Sequence, residues 1–292
     1  MTHLRLKSDR WLFPGRFGST VALALTVWLG ATVSVGVYAQ QAAAPPASPQ
    51  LSDTEIEAFL LKAKILRSRS TGKGVTDSIR ATLSDGVMTH DAHIQTIDEQ
   101  KREFRTAKIV ELNFRDSWKF NVAAYRLDRL IGLNMVPPSV PRRWREKEAA
   151  YTWWVDDVMM DEGERLKGQD HDPDVLRWNR QMQLIRVFDQ LIYNTDRNLG
   201  NLLIAKEWRV WAIDHTRAFR KHETLKSPAS LTACDRQLLE KLKALDRQTV
   251  KRELDDYLMD WEIDGLLKRR DAIVAHFEQL GPSVLFDRSP AR

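Results

Sequence analysis

The stretch YNTDRNLGNLLIAKEWRVWAIDHTRAF, residues 193–219, carries the most informative pattern in this chain of 292 residues. Asp196 is followed five residues later by Asn201, and Asp214 stands at the end of an apolar, strand-like run. The apolar runs NLLIA and VWAI predict a β-hairpin, and the segment before Asp196 has helical periodicity. A carboxylate, an amide and a second carboxylate are therefore predicted to meet at a helix–loop–hairpin corner.

This order and spacing are typical of a kinase catalytic loop, in which an Asp is followed by an Asn and then by a metal-binding Asp. The first carboxylate orients and deprotonates the acceptor hydroxyl. The amide oxygen and the second carboxylate suit Mg²⁺ or Mn²⁺, which prefer hard oxygen ligands. We therefore expect Asp196 to be the catalytic base and Asn201 and Asp214 to be the metal ligands. The alternative is a polar turn in which each residue is structural.

Two stretches resemble a known family. The segment DRNLGN…AIDHTRAF is similar to the catalytic and metal-binding segments of the phosphatidylinositol 3-/4-kinase superfamily, where Asp-Arg-(His/Asn) replaces His-Arg-Asp. Upstream, NVAAYRLDRLIGLNMVPPSVPR (residues 121–142) resembles the helix and Val-Pro-Pro segment of the secretory-pathway atypical kinases, the Golgi casein kinase and four-jointed group. Together the two matches cover roughly residues 80–220.

The resemblance implies an α+β, two-lobed protein-kinase-like fold that uses ATP with Mg²⁺ or Mn²⁺. It predicts a small mixed strand and helix N-lobe and a larger, mainly helical C-lobe. Arg197 would hold the catalytic loop, through Asp214 or through a backbone carbonyl. The segment VDDVMM would lead into the hinge and bring Val158, Met159 and Met160 near the adenine ring, with core packing as the alternative interpretation of the two methionines.

The phosphate-clamping end of such a site is altered. A kinase of this type pairs a Lys on the third strand with a Glu of the small-lobe helix. The alignment places Gln95 at the Lys position and Asn121 at the Glu position, and we expect both residues to lie at the nucleotide site. Loss of both charges together is physically coherent, because an unpaired buried charge is costly and a contact between two amides is not.

Other residues near the predicted clamp offer a cation. Lys101 or Lys108 is the alternative phosphate-binding group, with Glu99 or Glu111 as its partner; the simpler interpretation is that all four are solvated charges. Gly86, in LSDGVM, is a single glycine and predicts a hairpin turn without indicating a phosphate cradle.

The N-terminus predicts export. Residues 1–39 combine a basic start with the apolar run VALALTVWLGATVSVGVYA (residues 21–39), which fits a cleaved signal peptide and is also just long enough for an uncleaved membrane anchor. Either alternative predicts an extracytoplasmic protein, periplasmic or secreted, that contacts a membrane only through this segment. Without residues 1–39 the net charge falls from +5 to +2, which argues against nucleic acid as a partner.

Periodicity and capping residues predict the organisation of the remainder. After an Ala/Pro-rich linker at 40–50, we expect an N-lobe with a leading helix at 51–160, a helical C-lobe with the catalytic loop at 161–285 and a tail at 286–292. The leading helix is predicted over LSDTEIEAFLLKAKIL (residues 51–66), whose apolar residues keep helical spacing through Leu66. The predicted caps are Asp116 or Ser117 for the small-lobe helix and Asp172, followed by Pro173, for the helix before the catalytic loop. Three C-terminal helices are predicted with caps near Thr232, Asp246 and Asp260 and an end at Gly281.

Three functional classes remain open from the sequence. The first is an active phosphotransferase whose acceptor is a hydroxyl of a protein, a lipid or a small molecule. The second is a pseudokinase that binds nucleotide or a partner and regulates another protein. The third is a non-catalytic envelope protein that retains the fold. Intact Asp196, Asn201 and Asp214 favour the first class, and Gln95 with Asn121 favours the second.

Overall fold

This computed structural model describes residues 51–72, 78–105 and 110–288, and its first half is an antiparallel sheet preceded by a helix. The elements are helix α1 (Asp53–Lys62) and strands β1 (Lys64–Ser70), β2 (Ile79–Ser84), β3 (Thr89–Gln95), β6 (Ser139–Trp144) and β7 (Lys147–Trp153), with β4, β5 and helix α2 inserted between β3 and β6. The strand order is β1-β2-β3-β7-β6. The predicted export segment and linker lie outside the described residues.

The hairpin of β2 and β3 forms where the sequence predicts it. Gly86 has a φ of 93°, a left-handed conformation that glycine adopts without strain. The Asp85 carboxylate accepts hydrogen bonds from the amides of Val87 and Met88, which closes the turn. This turn joins two strands of the sheet, as predicted for a lone glycine.

Strand β1 corrects the predicted leading helix, which extended through Leu66. The helix ends at Lys62, and Ala63 adopts an extended conformation. The residues that follow pair with β2, with a register shift between Ile65 and Arg67. Most of β1 is exposed, including Leu66. Because a solvated edge strand lacks the alternating apolar pattern of a half-buried strand, helical spacing was the stronger signal there.

Strands β4 (Asp98–Arg105) and β5 (Val110–Ser117) form a separate two-stranded ribbon. The register pairs Asp98 with Ser117 at its base. Helix α2 (Lys119–Leu130) follows at once, so the predicted caps Asp116 and Ser117 are wrong: both are the last residues of β5, and Trp118 precedes the helix without a side-chain cap. Both residues pair with β4 in the strand ladder instead, and the Ser117 hydroxyl donates a hydrogen bond to Asp98.

The second half is mainly helical. After strand β8 (Val158–Asp161) come helices α3 (Glu162–Gly168) and α4 (Val175–Leu191), then strands β9 (Leu202–Ala205) and β10 (Val210–Ala212). The chain continues with β11 (Cys234–Asp235), α5 (Arg236–Ala244), α6 (Arg247–Leu254), α7 (Asp260–Leu280) and β12 (Leu285–Phe286). Strands β10, β9 and β8 form a three-stranded antiparallel sheet. Two of its strands, β9 and β10, belong to the segment of residues 193–219 that carries Asp196, Asn201 and Asp214.

Several predicted helix caps shift by a few residues. Asp174, rather than Asp172, caps α4 by accepting from the Arg177 amide, while Asp172 pairs with the Arg177 guanidinium. Asp235, rather than Thr232, caps α5. A short polar stretch offers several acceptors, and tertiary ion pairs decide which one faces the helix end.

Two hydrophobic cores lie in the described chain. The smaller core joins α1 to the five-stranded sheet and includes Leu60, Leu83, Ile94 and Tyr151. The larger core joins α2 to the C-terminal helices and includes Phe120, Leu191, Leu242 and Phe277. The predicted α+β architecture, with a strand-rich lobe and a helical one, is confirmed. None of the helices in the described residues is both long and apolar enough to cross a membrane.

Arg269 of α7 joins three segments of the helical lobe from a fully buried position. Its guanidinium donates to the carbonyls of Leu191 (2.8 Å), Arg220 (2.9 Å) and His222. We expect Arg269→Met to lower the free energy of unfolding by about 3–5 kcal/mol, because it leaves three carbonyls without their donor.

Urea denaturation followed by circular dichroism measures this difference. Arg252→Met is the matched control, since Arg252 pairs with Glu253 on the surface and we expect a change of less than about 1 kcal/mol. Equal stabilities for the two variants would contradict a structural role for Arg269.

Candidate active site

The loop after α4 holds Asp196 at the surface of the helical lobe. The Asp196 amide donates to the side-chain oxygen of Asn194 at 3.0 Å, and the Thr195 hydroxyl donates to the carbonyl of Arg217 at 2.9 Å. Both bonds fix the backbone and leave the Asp196 carboxylate open, with 42% of its side chain exposed. An accessible carboxylate on a fixed backbone is the geometry that a general base requires.

Arg197 is the central donor of the site. Its guanidinium forms a two-pronged ion pair with Asp189 of α4, at 3.0 Å for both Nε–Oδ2 and Nη2–Oδ1. Nη1 donates to the carbonyls of Asn201 at 3.0 Å and Ile213 at 2.7 Å, and Nη2 donates to Nε2 of His215 at 2.9 Å. One side chain therefore joins the helix, the catalytic-loop segment and the end of the second hairpin strand, and its carboxylate partner is Asp189 rather than Asp214.

His215 is buried directly behind this arrangement. Because a guanidinium only donates hydrogen bonds, Nε2 of His215 accepts, and the ring is neutral. Burial lowers the pKa of His215 well below its usual value, and the positive charge of Arg197 acts in the same direction. Its ring also packs edge-on against Phe188 of α4. The residue supports the segment after Asp214 by packing.

Asn201 is buried at the start of β9. Its side-chain Nδ2 donates to the carbonyl of Asp196 at 3.1 Å, and its own carbonyl accepts from the Ile213 amide at 3.0 Å. No hydrogen bond within the described residues uses its Oδ1. The hydrogen bonds thus join three parts of the segment, residues 196, 201 and 213, and leave the amide oxygen as an available ligand.

Asp214 follows β10 in a left-handed conformation, with a φ of 55°. This conformation is uncommon for a residue with a side chain, and such residues gather at functional sites. The Thr216 hydroxyl donates to its Oδ1 at 3.2 Å. Burial raises the pKa of Asp214, and the negative charge of Asp116 raises it further, while the Thr216 hydrogen bonds oppose the shift.

Asp116 and Arg217 form an ion pair beside the carboxylates of Asp196 and Asp214. Arg217 Nε donates to Asp116 Oδ2 at 2.7 Å, and its Nη1 lies 3.7 Å from Asp196 Oδ2. Burial raises the pKa of Asp196, and the charges of Asp214 and Asp116 act in the same direction, while Arg217 opposes them. A carboxylate with a raised pKa accepts a proton more readily, which suits a base.

The two predicted clamp positions carry neutral amide side chains whose oxygens accept hydrogen bonds from backbone amides. Gln95 ends β3, and its Oε1 accepts from the amides of Thr96 at 3.0 Å and Ile97 at 3.2 Å. Asn121 lies in the first turn of α2, and its Oδ1 accepts from the His215 amide at 2.8 Å. Asn121 thus contacts the segment that carries Asp214, whereas the hydrogen bonds described for the Gln95 side chain support the turn after its own strand.

Of the two lysine alternatives, only Lys101 lies within the described residues. Lys101 lies on the exposed ribbon and pairs with Glu99 at 2.7 Å, with about half of each side chain in solvent. Glu111 pairs with Arg220 at 2.8 Å. Lys108 lies outside the described residues. The ribbon therefore places Lys101 in an ordinary surface ion pair.

The predicted hinge segment leaves the five-stranded sheet and enters β8. Val158 and Met159 are largely exposed, and Met160 is partly buried. Met160 is paired with Ile204 of β9, the strand that begins directly after Asn201. Neither methionine belongs to the two hydrophobic cores, so the core-packing interpretation does not hold for this pair.

Comparison with known proteins identifies the fold. No family model matches the sequence, and no curated protein matches it. Among solved structures, the chain resembles hydra Fam20 with sugar (TM-score 0.57, 15% identity, 80% of this chain and 92% of that one covered). It also resembles the Golgi casein kinase with Mn/ADP bound (TM-score 0.56, 13% identity, 82% and 80% covered). A second structure of the Golgi casein kinase gives a TM-score of 0.54 at 14% identity, with 82% and 79% covered.

These likenesses establish an atypical kinase-like fold and confirm the predicted resemblance to the secretory-pathway kinases. At such low identity they concern the fold, so the roles of individual residues rest on the geometry of this chain.

Sequence reasoning missed three of the residues that shape the site. Asp116 was assigned to a helix cap, and Asp189 and Arg217 were not singled out. Arg217 follows Asp214 by three residues, so its proximity was readable from the motif. Asp189 precedes Arg197 by eight residues, across the end of α4 and the loop that follows, and no motif in the sequence pairs them.

Removal of the Arg197 guanidinium should uncouple the loop from α4. We expect Arg197→Met to lower the free energy of unfolding by about 3–5 kcal/mol, because Asp189 would keep a largely buried charge without its partner. Arg197→Lys should be intermediate, since it keeps the charge and loses the planar fork.

Urea unfolding of the two variants measures the effect. Arg236→Met serves as control, because Arg236 pairs with Asp287 at the surface and should change stability by less than about 1 kcal/mol. A wild-type free energy of unfolding for Arg197→Met would show that the hydrogen bonds of Arg197 do not hold the loop.

Proposed function

We propose that this protein is an exported, atypical kinase-like phosphotransferase that uses metal-bound ATP. The observation that carries the proposal is the arrangement around Arg197, which joins the segments of Asp196, Asn201 and Asp214 within a kinase-like fold. A fold neighbour, the Golgi casein kinase, was crystallised with Mn/ADP bound, which supports a nucleotide and a divalent metal as cofactors.

The donor set fits Mg²⁺ or Mn²⁺. Asn201 offers an amide oxygen, and Asp214 offers a carboxylate with only Oδ1 engaged, by Thr216. Among the described residues, no group of three or more His, Cys, Asp or Glu side chains is arranged to hold a metal by itself. That agrees with a kinase-type site, in which the protein supplies one or two ligands and the nucleotide phosphates and water supply the others.

The chain's own groups then perform the proton transfer. The hydroxyl oxygen of the acceptor attacks the γ-phosphorus of ATP, the bond from that phosphorus to the β,γ-bridging oxygen breaks, and ADP leaves. Asp196 orients the acceptor hydroxyl and takes its proton. Arg197 keeps the loop fixed through these steps, and the divalent cation, when bound, offsets the phosphate charge. The acceptor is a hydroxyl of a protein, a lipid or a small molecule.

Export is the second part of the proposal. It rests on residues 1–39, whose basic start and apolar run are typical of a signal peptide or an anchor. The secretory-pathway character of the resembling kinases supports it. The proposed location is the periplasm or the extracellular space, with residues 21–39 as the membrane anchor if they are not cleaved.

A pseudokinase is the alternative that one observation favours. Gln95 and Asn121 stand at the positions of the Lys–Glu clamp, and both side-chain oxygens accept backbone amides. In this alternative the protein binds nucleotide or a partner through the same cleft and regulates another protein without transfer. The two alternatives differ in turnover rather than in binding.

Nucleotide binding should raise the melting temperature in a metal-dependent way. A ligand at about 100 times its dissociation constant adds about 2.7 kcal/mol of stability, which corresponds to several degrees for a chain of this size. We expect this shift with ATP plus Mg²⁺ or Mn²⁺, and we expect Asp214→Asn to remove its metal-dependent part. Asp271→Asn, an exposed acid on α7, is the control that keeps the full shift. No shift for wild type under saturating conditions would exclude both the kinase and the nucleotide-binding pseudokinase.

Turnover separates the two alternatives. ADP formation from ATP is measured for wild type and Asp196→Asn with protein, lipid and sugar hydroxyls as acceptors. Because general base catalysis contributes about 10²–10⁴-fold, we expect Asp196→Asn to lose at least a hundredfold in rate while nucleotide still raises its melting temperature. Binding by both proteins with no turnover by either would favour the pseudokinase.

A further inference from the structure

We propose that Arg217, held by Asp116, is the cation that binds the β- and γ-phosphates of the nucleotide. This pair would take the place of the Lys–Glu clamp that Gln95 and Asn121 do not form. The inference rests on the proposed function, because it names the phosphate contacts of the same site.

The position of Arg217 carries the first step. Its guanidinium lies between two carboxylates of the site, with Nε 2.7 Å from Asp116 Oδ2 and Nη1 3.7 Å from Asp196 Oδ2. The transferred phosphoryl group must lie close to the catalytic base, so a cation at this distance from Asp196 is within reach of it. About 30% of the Arg217 side chain is exposed, which leaves it accessible to a ligand.

The unused donors of Arg217 carry the second step. Within the described residues only its Nε forms a hydrogen bond, to Asp116, so the N–H groups of Nη1 and Nη2 are left for a ligand. A guanidinium matches phosphate oxygens with two parallel hydrogen bonds, which makes arginine well suited to this contact. The ring of Phe114 lies 5.5 Å from the guanidinium and supports one of its faces.

The burial of Asp116 carries the third step. Its side chain is almost completely buried, and its Oδ2 accepts from Arg217. Its Oδ1 has no hydrogen-bond partner among the residues that the structure describes. The fold keeps Asp116 in place, because β5 ends there and the next amide, of Ser117, donates to the Thr216 carbonyl at 2.9 Å. A buried carboxylate that holds a partly exposed cation is the same combination as the kinase Lys–Glu pair, built from other elements.

The other cations near the site are already committed. Arg197 donates to Asp189, to two backbone carbonyls and to His215. Lys101 pairs with Glu99 on the ribbon. Arg217 is therefore the partly exposed cation at the site whose terminal nitrogens form no hydrogen bond in the described chain.

The test compares two ligands by isothermal titration calorimetry. Mg²⁺–ATP reports on the phosphate contacts, and adenosine, which lacks them, reports whether the nucleoside part of the site is intact. We expect Arg217→Met to weaken Mg²⁺–ATP binding by 10- to 100-fold and to leave adenosine affinity within twofold. Arg217→Lys should lose less, because it keeps a charge without the fork. Arg252→Met, which breaks a surface pair with Glu253, should match wild type for both ligands.

Asp116→Asn checks the supporting role of the carboxylate. It should weaken Mg²⁺–ATP binding in the same direction, and the double variant with Arg217→Met should bind no more weakly than Arg217→Met alone, because the two residues act as one pair.

Wild-type Mg²⁺–ATP affinity, or tighter binding, in Arg217→Met would overturn the clamp and leave the proposed function standing. Equal losses for ATP and adenosine would also overturn it, since they indicate damage to the whole site. Absence of Mg²⁺–ATP binding by wild type would instead contradict the proposed function, and the clamp with it.

Discussion

The hydrogen bonds of Arg197 are the constraint on which the site depends. A single guanidinium, paired with Asp189, holds the carbonyls of Asn201 and Ile213 and the ring of His215. Without it, the loop after α4 and the end of β10 would each need separate support for their polar backbone groups. Because the proposed base and the proposed metal ligands lie on these two segments, their relative geometry follows from the ion pair of Arg197 with Asp189 of the helix. Burial lowers the pKa of His215 and keeps the ring neutral in the core, and the charge of Arg197 acts in the same direction.

A second constraint comes from the ribbon of β4 and β5. Its base is tied to the segment after β10 by the hydrogen bond from the Ser117 amide to the Thr216 carbonyl, and this brings Asp116 against Arg217. The site therefore combines a local motif with a carboxylate about a hundred residues earlier in the chain. At the positions predicted for the kinase Lys and Glu, this chain has amides that accept backbone hydrogen bonds, and the ion pair of Asp116 and Arg217 is formed by neighbouring elements. The charge of the clamp is relocated rather than lost if Arg217 has the proposed role.

Much of the fold was predictable because its longest elements have strong periodicity. Helix α4, the hairpin of β2 and β3 and the hairpin of β9 and β10 form where the pattern indicates, since local spacing decides which side chains can be buried together. The errors have physical causes. Strand β1 is too exposed to show an alternating apolar pattern, so the spacing of the apolar residues predicts a helix through Leu66. Asp116 and Asp172 have side chains that can cap a helix, but Asp116 lies in the strand ladder of β5 and Asp172 forms an ion pair with Arg177. A cap depends on one backbone geometry, and tertiary contacts override it easily.

The sequence by itself determined the spacing of Asp196, Asn201 and Asp214 and the helix–loop–hairpin order around them, because both are set by nearest neighbours along the chain. It also determined that the two residues at the predicted clamp positions, Gln95 and Asn121, are neutral. Only the tertiary structure decided that Arg197 pairs with Asp189, that Asn121 binds the His215 amide and that Asp116 meets Arg217. These contacts join loop segments to a helix or to a strand, and strand register and core packing select their partners. No local pattern encodes that selection.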